Sequence, residues 1–228
     1  MIVLRNLAFY LAFYLGSFVV TLGAFLTSRL DVALFRRFVH AWSRLQRWCV
    51  QHLLGAPIVI EGAPLAEPAL YAIKHESFFE AIDAPTLFRL PIVFTKAELF
   101  RIPGWGPAAS AYGLVSVDRD AGARALMTMM RQAKAGAAAG RPLVIFPEGT
   151  RVPHGERRAL QAGFAGLYKV LGLPVVPVAV DSGPTYHRWL KRKRPITYRF
   201  GETIPPGLPR DEVEERVLTA INALNGGS

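Results

Sequence analysis

Leu70-Tyr71-Ala72-Ile73-Lys74-His75-Glu76-Ser77-Phe78-Phe79-Glu80 passes from an apolar run, through four polar residues, into a segment of helical character. A four-residue apolar run has no polar side to leave in water, so Leu70–Ile73 reads as a short strand covered on both faces. The residues from about 78 to 89 read as a helix. A strand running directly into a helix is the building unit of α/β folds, and ligands sit where such strands end. Outward from this stretch the alternation repeats, with further apolar, β-rich runs at 58–60, 92–94, 114–117, 143–146, 175–180 and 196–200. Helical runs fall at about 121–139, 159–171 and 210–224, the last opened by Pro209 and Asp211 and closed by Asn225-Gly226-Gly227. The expectation is an α/β domain over residues 57–228, with a mixed, largely parallel sheet of about seven strands flanked by helices.

Ahead of it, Leu7–Leu26 carries no charge, and eleven of its twenty residues are Leu, Phe or Val. As a helix it would be roughly 30 Å long, the thickness of a bilayer core. The apolar part of a cleaved signal peptide is shorter and ends in a small-x-small site, which Thr27-Ser28-Arg29-Leu30 does not supply. From Asp31 to Leu54 the pattern becomes amphipathic. Phe35, Phe38, Val39, Trp42, Leu45, Trp48 and Cys49 recur at helical spacing, opposite Arg36, Arg37, His40, Arg44, Arg47 and Gln51. After a membrane-length helix, this face is expected to lie among anionic headgroups, the alternative being that it packs on protein. Residues 1–56 are thus expected to form a two-helix membrane-binding segment, single-pass or monotopic. Arg29, Arg36 and Arg37 after the apolar run outnumber Arg5 before it, so the rest of the chain is expected on the cytoplasmic face.

Composition agrees. The chain has 228 residues, 51% of them hydrophobic, only 19% charged, and a net charge of +10. This excludes a disordered chain and points to a surface that meets lipid. One cysteine, Cys49, excludes an internal disulfide and a cysteine-rich metal site. Six of the Lys and Arg residues and a single acid lie in residues 1–56, so half of the positive excess belongs to that segment. Nucleic-acid binding would rest on Lys191-Arg192-Lys193-Arg194 alone; a solvated turn, or contact with anionic lipid or an acidic carrier protein, accounts for that run more simply.

Two groups carry chemistry. His75 and Glu80 are five apart and would point about 140° from one another on a continuous helix. They can meet only if His75 lies in the turn before the helix and Glu80 in its first turns. A carboxylate on one ring nitrogen leaves the other as a base able to take a proton from a hydroxyl. Ser77 has no nucleophile spacing, and no Gly-x-Ser-x-Gly occurs. The second group is Phe146-Pro147-Glu148-Gly149-Thr150-Arg151, where Pro and Gly set a turn and Arg151 offers a planar fork for phosphate. Lys96 and Arg119 also fall at expected strand ends, which suggests that these cations converge on one anion.

Four blocks in order, Lys74–Glu80, Gly113–Arg119, Phe146–Arg151 and Leu173–Val178, resemble the motifs of the 1-acyl-glycerol-3-phosphate (lysophosphatidic acid) acyltransferase family. The resemblance spans about residues 70–180. It implies that His75 is the base, that Glu80 orients it, and that Arg119, Glu148, Gly149, Thr150 and Arg151, with Lys96, hold the glycerol phosphate. It further implies lysophosphatidic acid as acceptor, an acyl thioester of CoA or carrier protein as donor, membrane lipid as a partner, and no metal or other cofactor. Glu80 stands where the family has Asp, and Lys74 where Asn is common. Another lysolipid as acceptor, or a non-catalytic membrane-binding role, are the competing readings.

Overall fold

The computed structural model describes residues 1–28, 30–102, 104–117, 122–186 and 188–226. Two long helices come first, α1 (Ile2–Thr27) and α2 (Val32–Trp48), the second extended by a wide turn over Cys49–Leu54. Then follow β1 (Ile58–Glu61), β2 (Leu70–Ile73), α3 (Phe79–Leu87), β3 (Ile92–Lys96), a short tight turn Ala97–Arg101, α4 (Trp105–Tyr112) and β4 (Val115–Val117). After these come α5 (Gly122–Ala138), β5 (Leu143–Ile145), α6 (Ala162–Leu171), β6 (Val175–Val180), the one-turn α7 (Gly183–Tyr186), β7 (Ile196–Phe200) and α8 (Arg210–Ile221). All seven expected strands are present, each within about two residues of its sequence reading.

They form one sheet in the order β1-β7-β6-β2-β5-β3-β4, parallel throughout except for the antiparallel β6–β7 pair. Strand β2 is central, with Leu70 opposite Leu143 of β5 on one side and Val175 of β6 on the other. Its four residues are all buried because helices cover both faces. Leu70 and Ala72 face a core shared with Phe164, Leu167, Val213 and Val217 of α6 and α8. Tyr71 and Ile73 face the opposite core, with Phe79 and Ala84 of α3. The connection from β2 leads through α3 toward β3, and that from β5 leads through α6 back to β6. The chain therefore leaves these neighbouring strands in opposite directions, on opposite faces of the sheet. A crevice opens at their carboxyl ends at such a switch point.

The N-terminal helices belong to this architecture. Phe9, Cys49, Val50 and Leu54 are buried in one core with Val180, Ile196 and Tyr198, so residue 56 marks no break in packing. Asp31 caps α2 through hydrogen bonds from the Ala33 and Leu34 N–H groups. The helix then returns along α1 so closely that a Cβ on Gly16 or Gly23 would lie 2.5 Å or 2.6 Å from Leu45 or Phe38. Trp42 donates to Ser17 Oγ at 2.9 Å, and Arg47 grips Asp83 of α3 at 2.8 and 2.6 Å. The expectation that the apolar face of α2 lies among lipid headgroups is corrected here. Phe35 is buried, and Trp42 and Leu45 pack against the core formed with α1 and α3. Trp48 at the end of α2 stays half exposed, and the larger exposed apolar surface is on α1, where Leu4, Leu7, Leu11, Leu15, Phe18 and Leu22 form a stripe continuing to Phe25 and Leu26.

Candidate active site

His75 occupies the turn between β2 and α3. Its carbonyl accepts from the Val152 N–H at 2.7 Å, and its ring stacks on Phe146 with centroids 4.2 Å apart. Nδ1 lies 2.9 Å from Glu80 Oε1. The carboxylate of Glu80 is fully buried and held from several sides. Oε1 also accepts from the Glu76 and Ser77 N–H groups at 2.6 and 2.7 Å, and Oε2 accepts from the hydroxyls of Ser182 and Ser77 at 2.6 and 3.1 Å. Burial alone would raise its pKa, but the contacts with His75, Ser182 and Ser77 outweigh burial and hold it below the usual carboxylate value. An ionised Glu80 fixes the proton on Nδ1 and leaves the Nε2 lone pair as the acceptor. The side chain of His75 is 16% exposed, so this ring meets the outside while Glu80 does not.

The local sequence explains the geometry. Just before α3, Ser77 Oγ accepts from the Phe79 N–H at 3.0 Å while Glu80 reaches back to the Ser77 N–H at 2.7 Å. The same carboxylate then extends to the ring of His75. Glutamate is long enough to do both.

Phosphate-binding candidates fall into separate groups. Gly149 adopts φ +70° and turns the chain after β5, its N–H donating to the Phe146 carbonyl at 2.9 Å. Arg151 is exposed, with its guanidinium 4.0 Å above the ring of Phe78, which follows His75 by three residues. That stack sets a cation beside the turn that carries the base. Thr150 is half-buried on the same loop, and Lys96 is exposed at the end of β3. Arg119 lies outside the described residues, as does Arg29. Glu148, expected beside the phosphate, points its carboxylate elsewhere. It is buried with Lys74 Nζ 2.7 Å from Oε1, while Oε2 accepts a long bond of 3.5 Å from the His75 N–H. An inward carboxylate serves to fix the strand ends, since an anion beside a phosphate would repel it.

Three further features bear on the site. Lys74 is fully buried and also donates to the Glu156 carbonyl at 3.0 Å and to Asn222 Oδ1 at 2.9 Å, which joins the residue preceding His75 to α8. Ser182, at the end of β6, closes the far side of Glu80. Glu76 Oε1 lies 3.0 Å from His154 Nδ1 and Oε2 accepts from the Gly183 N–H at 2.8 Å, tying together the ends of β2, β5 and β6. The His75–Glu80 contact was readable from spacing. The partners of Lys74, Ser182 and Glu76 lie far away in sequence, so no local pattern marks them. Among the described residues no group of three or more His, Cys, Asp or Glu is placed to hold a metal ion.

Glu76 yields a pH prediction. Burial pushes its carboxyl from 4.5 up to about 7 against the opposing bonds from Gly183 and His154. Because the folded-state value is raised, the protonated group's advantage is complete below pH 4.5 and is lost as pH rises through about 7. The change is on the order of 3 kcal/mol. Glu76→Gln removes the titration. The thermal midpoint of the native chain, measured relative to this variant, is expected to fall between pH 5 and pH 8; a constant difference would refute the assignment.

The chain resembles known proteins in sequence and in fold. The sequence model of the Acyltransferase family matches residues 57–181. A 1-acyl-sn-glycerol-3-phosphate acyltransferase of Pseudomonas aeruginosa is 27% identical over 223 residues, covering 96% of this chain and 86% of that protein. One from Cocos nucifera is 27% identical over 192 residues, covering 81% of this chain; the alignment spans 60% of the plant protein's length. In fold, the chain is similar to the crystal structure of the 1-acyl-sn-glycerophosphate acyltransferase from Thermotoga maritima, with a TM-score of 0.76, 21% identity, and coverage of 100% of this chain and 99% of that one.

Proposed function

The chain belongs to the acyltransferase family, and from that premise we propose that it moves a fatty acyl group from an acyl thioester, of CoA or carrier protein, to the sn-2 hydroxyl of 1-acyl-glycerol-3-phosphate, giving phosphatidic acid. The observation that carries this reading is the 2.9 Å contact between His75 Nδ1 and the buried Glu80 carboxylate. Nε2 takes the proton of the acceptor hydroxyl as its oxygen attacks the thioester carbonyl carbon. The tetrahedral adduct collapses with cleavage of the C–S bond, and the leaving sulfur takes the proton back from His75. Glu80 stays ionised throughout and stabilises the imidazolium. Arg151, with Lys96 and Arg119, neutralises the acceptor's phosphate. No metal or redox step enters this sequence.

The acceptor lives in a bilayer, and the apolar stripe on α1 supplies the surface to meet it. Arg37 and Arg44 are exposed on α2, whose Phe38 and Leu45 pack on Gly23 and Gly16 of α1. If α1 crossed the membrane, Arg44 would lie near the bilayer centre, at roughly 2.5–3.5 kcal/mol, and Arg37 still within the hydrocarbon. This favours a monotopic arrangement, with α1 laid into one leaflet, on the cytoplasmic side, whose anionic lipid attracts the arginines.

The test is transfer by the purified chain from acyl-CoA or acyl-carrier protein to lysophosphatidic acid, with 1-acylglycerol as the phosphate-free competitor. Arg151→Gln is expected to raise KM for lysophosphatidic acid roughly tenfold to a hundredfold, as loss of a charge-assisted hydrogen bond does. The use of 1-acylglycerol should be unchanged. Equal rates on both acceptors in the native chain would overturn the phosphate assignment, and absence of transfer the whole reading.

A further inference from the structure

The segment Arg188-Trp189-Leu190-Lys191-Arg192-Lys193-Arg194 takes no part in the chemistry above. It is nonetheless tightly built. Lys191 is turned inward, its ammonium 4.0 Å from the ring centre of Tyr186 and 5.4 and 5.6 Å from those of Tyr10 and Phe9. The same group donates to the carbonyls of Tyr186 and Arg188 at 3.1 and 3.3 Å. Asn6, buried on α1, pairs with the Lys191 backbone in both directions, accepting at 2.8 Å and donating at 3.0 Å. The Tyr10 hydroxyl donates to the Trp189 carbonyl. At the other end, Arg192 N–H donates to the Thr185 carbonyl and Thr185 Oγ1 to the Arg194 carbonyl, both at 3.1 Å. The loop is thus clamped to the first turns of α1.

What the clamp presents is unusual for a solvated turn. Trp189 is 86% exposed and Leu190 is 47% exposed. Around them Arg188, Arg192, Lys193 and Arg194 all face outward, with no acid in the segment. Arg5 adds a further cation, since Gly55 has Arg5 and Lys193 on either side, each within 3.4 Å of where its Cβ would be. Trp189 lies beside Tyr10, with ring centroids 6.5 Å apart, and Tyr10 stacks on Tyr14. Tyr14, Leu7 and Leu11 are exposed on the adjoining apolar stripe of α1.

We propose that the loop 188–194 is a docking element for an anionic phospholipid bilayer. Trp189 and Leu190 enter the interface beside Tyr10 and Tyr14, and Arg188, Arg192, Lys193 and Arg194 contact lipid phosphates. Aromatic rings and cations together mark the level of the headgroups. An acidic carrier protein would satisfy the cations equally, but it gives no reason for an exposed Trp-Leu pair level with the α1 stripe. That continuity decides for lipid. Clamping by Asn6, Tyr10 and Lys191 makes the loop a fixed stop for α1, setting how deeply and at what tilt the helix sits and so the height of the active-site mouth.

The inference rests on the membrane reading of α1 and is tested apart from it. The full chain is partitioned onto vesicles of phosphatidylcholine with and without a third of phosphatidylglycerol, as native protein, as Trp189→Ser, and as the triple variant Arg188→Gln, Arg192→Gln, Lys193→Gln. The native chain should bind both vesicles, preferring the anionic one. Losing three charges near an anionic surface should weaken binding to the anionic vesicle roughly a hundredfold and leave the neutral one unchanged. Trp189→Ser should weaken both about tenfold. All three proteins should keep one thermal midpoint and equal acyl transfer in detergent, since the altered side chains are exposed. Native binding to neither vesicle would overturn both the membrane reading and the loop. Native binding with unchanged variants would overturn the loop alone. Loss of affinity for carrier protein with vesicle binding intact would show a protein dock in its place.

Discussion

His75→Ala is expected to lower kcat for acyl transfer by about three orders of magnitude, with little change in KM for lysophosphatidic acid or in thermal midpoint. General-base catalysis by a positioned imidazole contributes roughly 10²- to 10⁴-fold, and here the ring has few competing structural duties. It is held by Glu80 on one side and lies flat on Phe146, and the turn it occupies keeps its shape through backbone bonds, including that from the Val152 N–H. Truncation should therefore remove the base and spare the fold. Glu80→Gln is the companion variant. It retains the volume but lacks the charge that holds the proton on Nδ1, and should lose a large part of the same factor. Steady-state rates with both variants check the pair; transfer at the native rate in His75→Ala would end the dyad assignment.

Lys74→Met should cost stability on a comparable scale. Removing one member of a buried ion pair strands the other, typically at about 3–5 kcal/mol. Both side chains are wholly shielded from solvent in the Lys74–Glu148 pair, and the ammonium also serves Asn222 and Glu156. For a chain of this length the loss corresponds to a fall in thermal midpoint of roughly 10 °C. The double variant Lys74→Met, Glu148→Gln leaves no stranded charge and should recover a substantial part of it. A single-variant shift of a degree or two, read by calorimetry, would show that the pair contributes little.

The sheet was legible because its strands are short, mostly apolar runs bounded by turn residues, so strand positions could be read without knowing what covers them. The dyad was legible because a strand, a turn and a helix bring residues 75 and 80 together by local geometry alone. Helix α4 was not, since Ile102-Pro103-Gly104-Trp105-Gly106-Pro107 has the composition of a loop. Within that helix Gly106 packs on the Phe100 carbonyl so closely that a Cβ would lie 1.9 Å away, an approach no propensity encodes. For α2 the periodicity revealed an apolar stripe but not its cover. Gly16 and Gly23, seven apart on α1, were the trace of a helix packed closely there. Glu148 could be recognised as part of a motif, whereas the direction of its carboxylate depends on Lys74 and hence on Asn222, 148 residues further along the chain from that lysine.

The packing of Phe9, Cys49, Val50 and Leu54 against Val180, Ile196 and Tyr198 bears on how such a protein could be inherited or re-engineered. The two N-terminal helices also cover one face of the sheet, so cutting them away would strip the sheet of part of its core. Doing so would uncover the face on which Tyr198 bonds Asp83 at 3.0 Å and release Asp83 from Arg47. A change that disturbs these two helices therefore reaches the core of the enzyme.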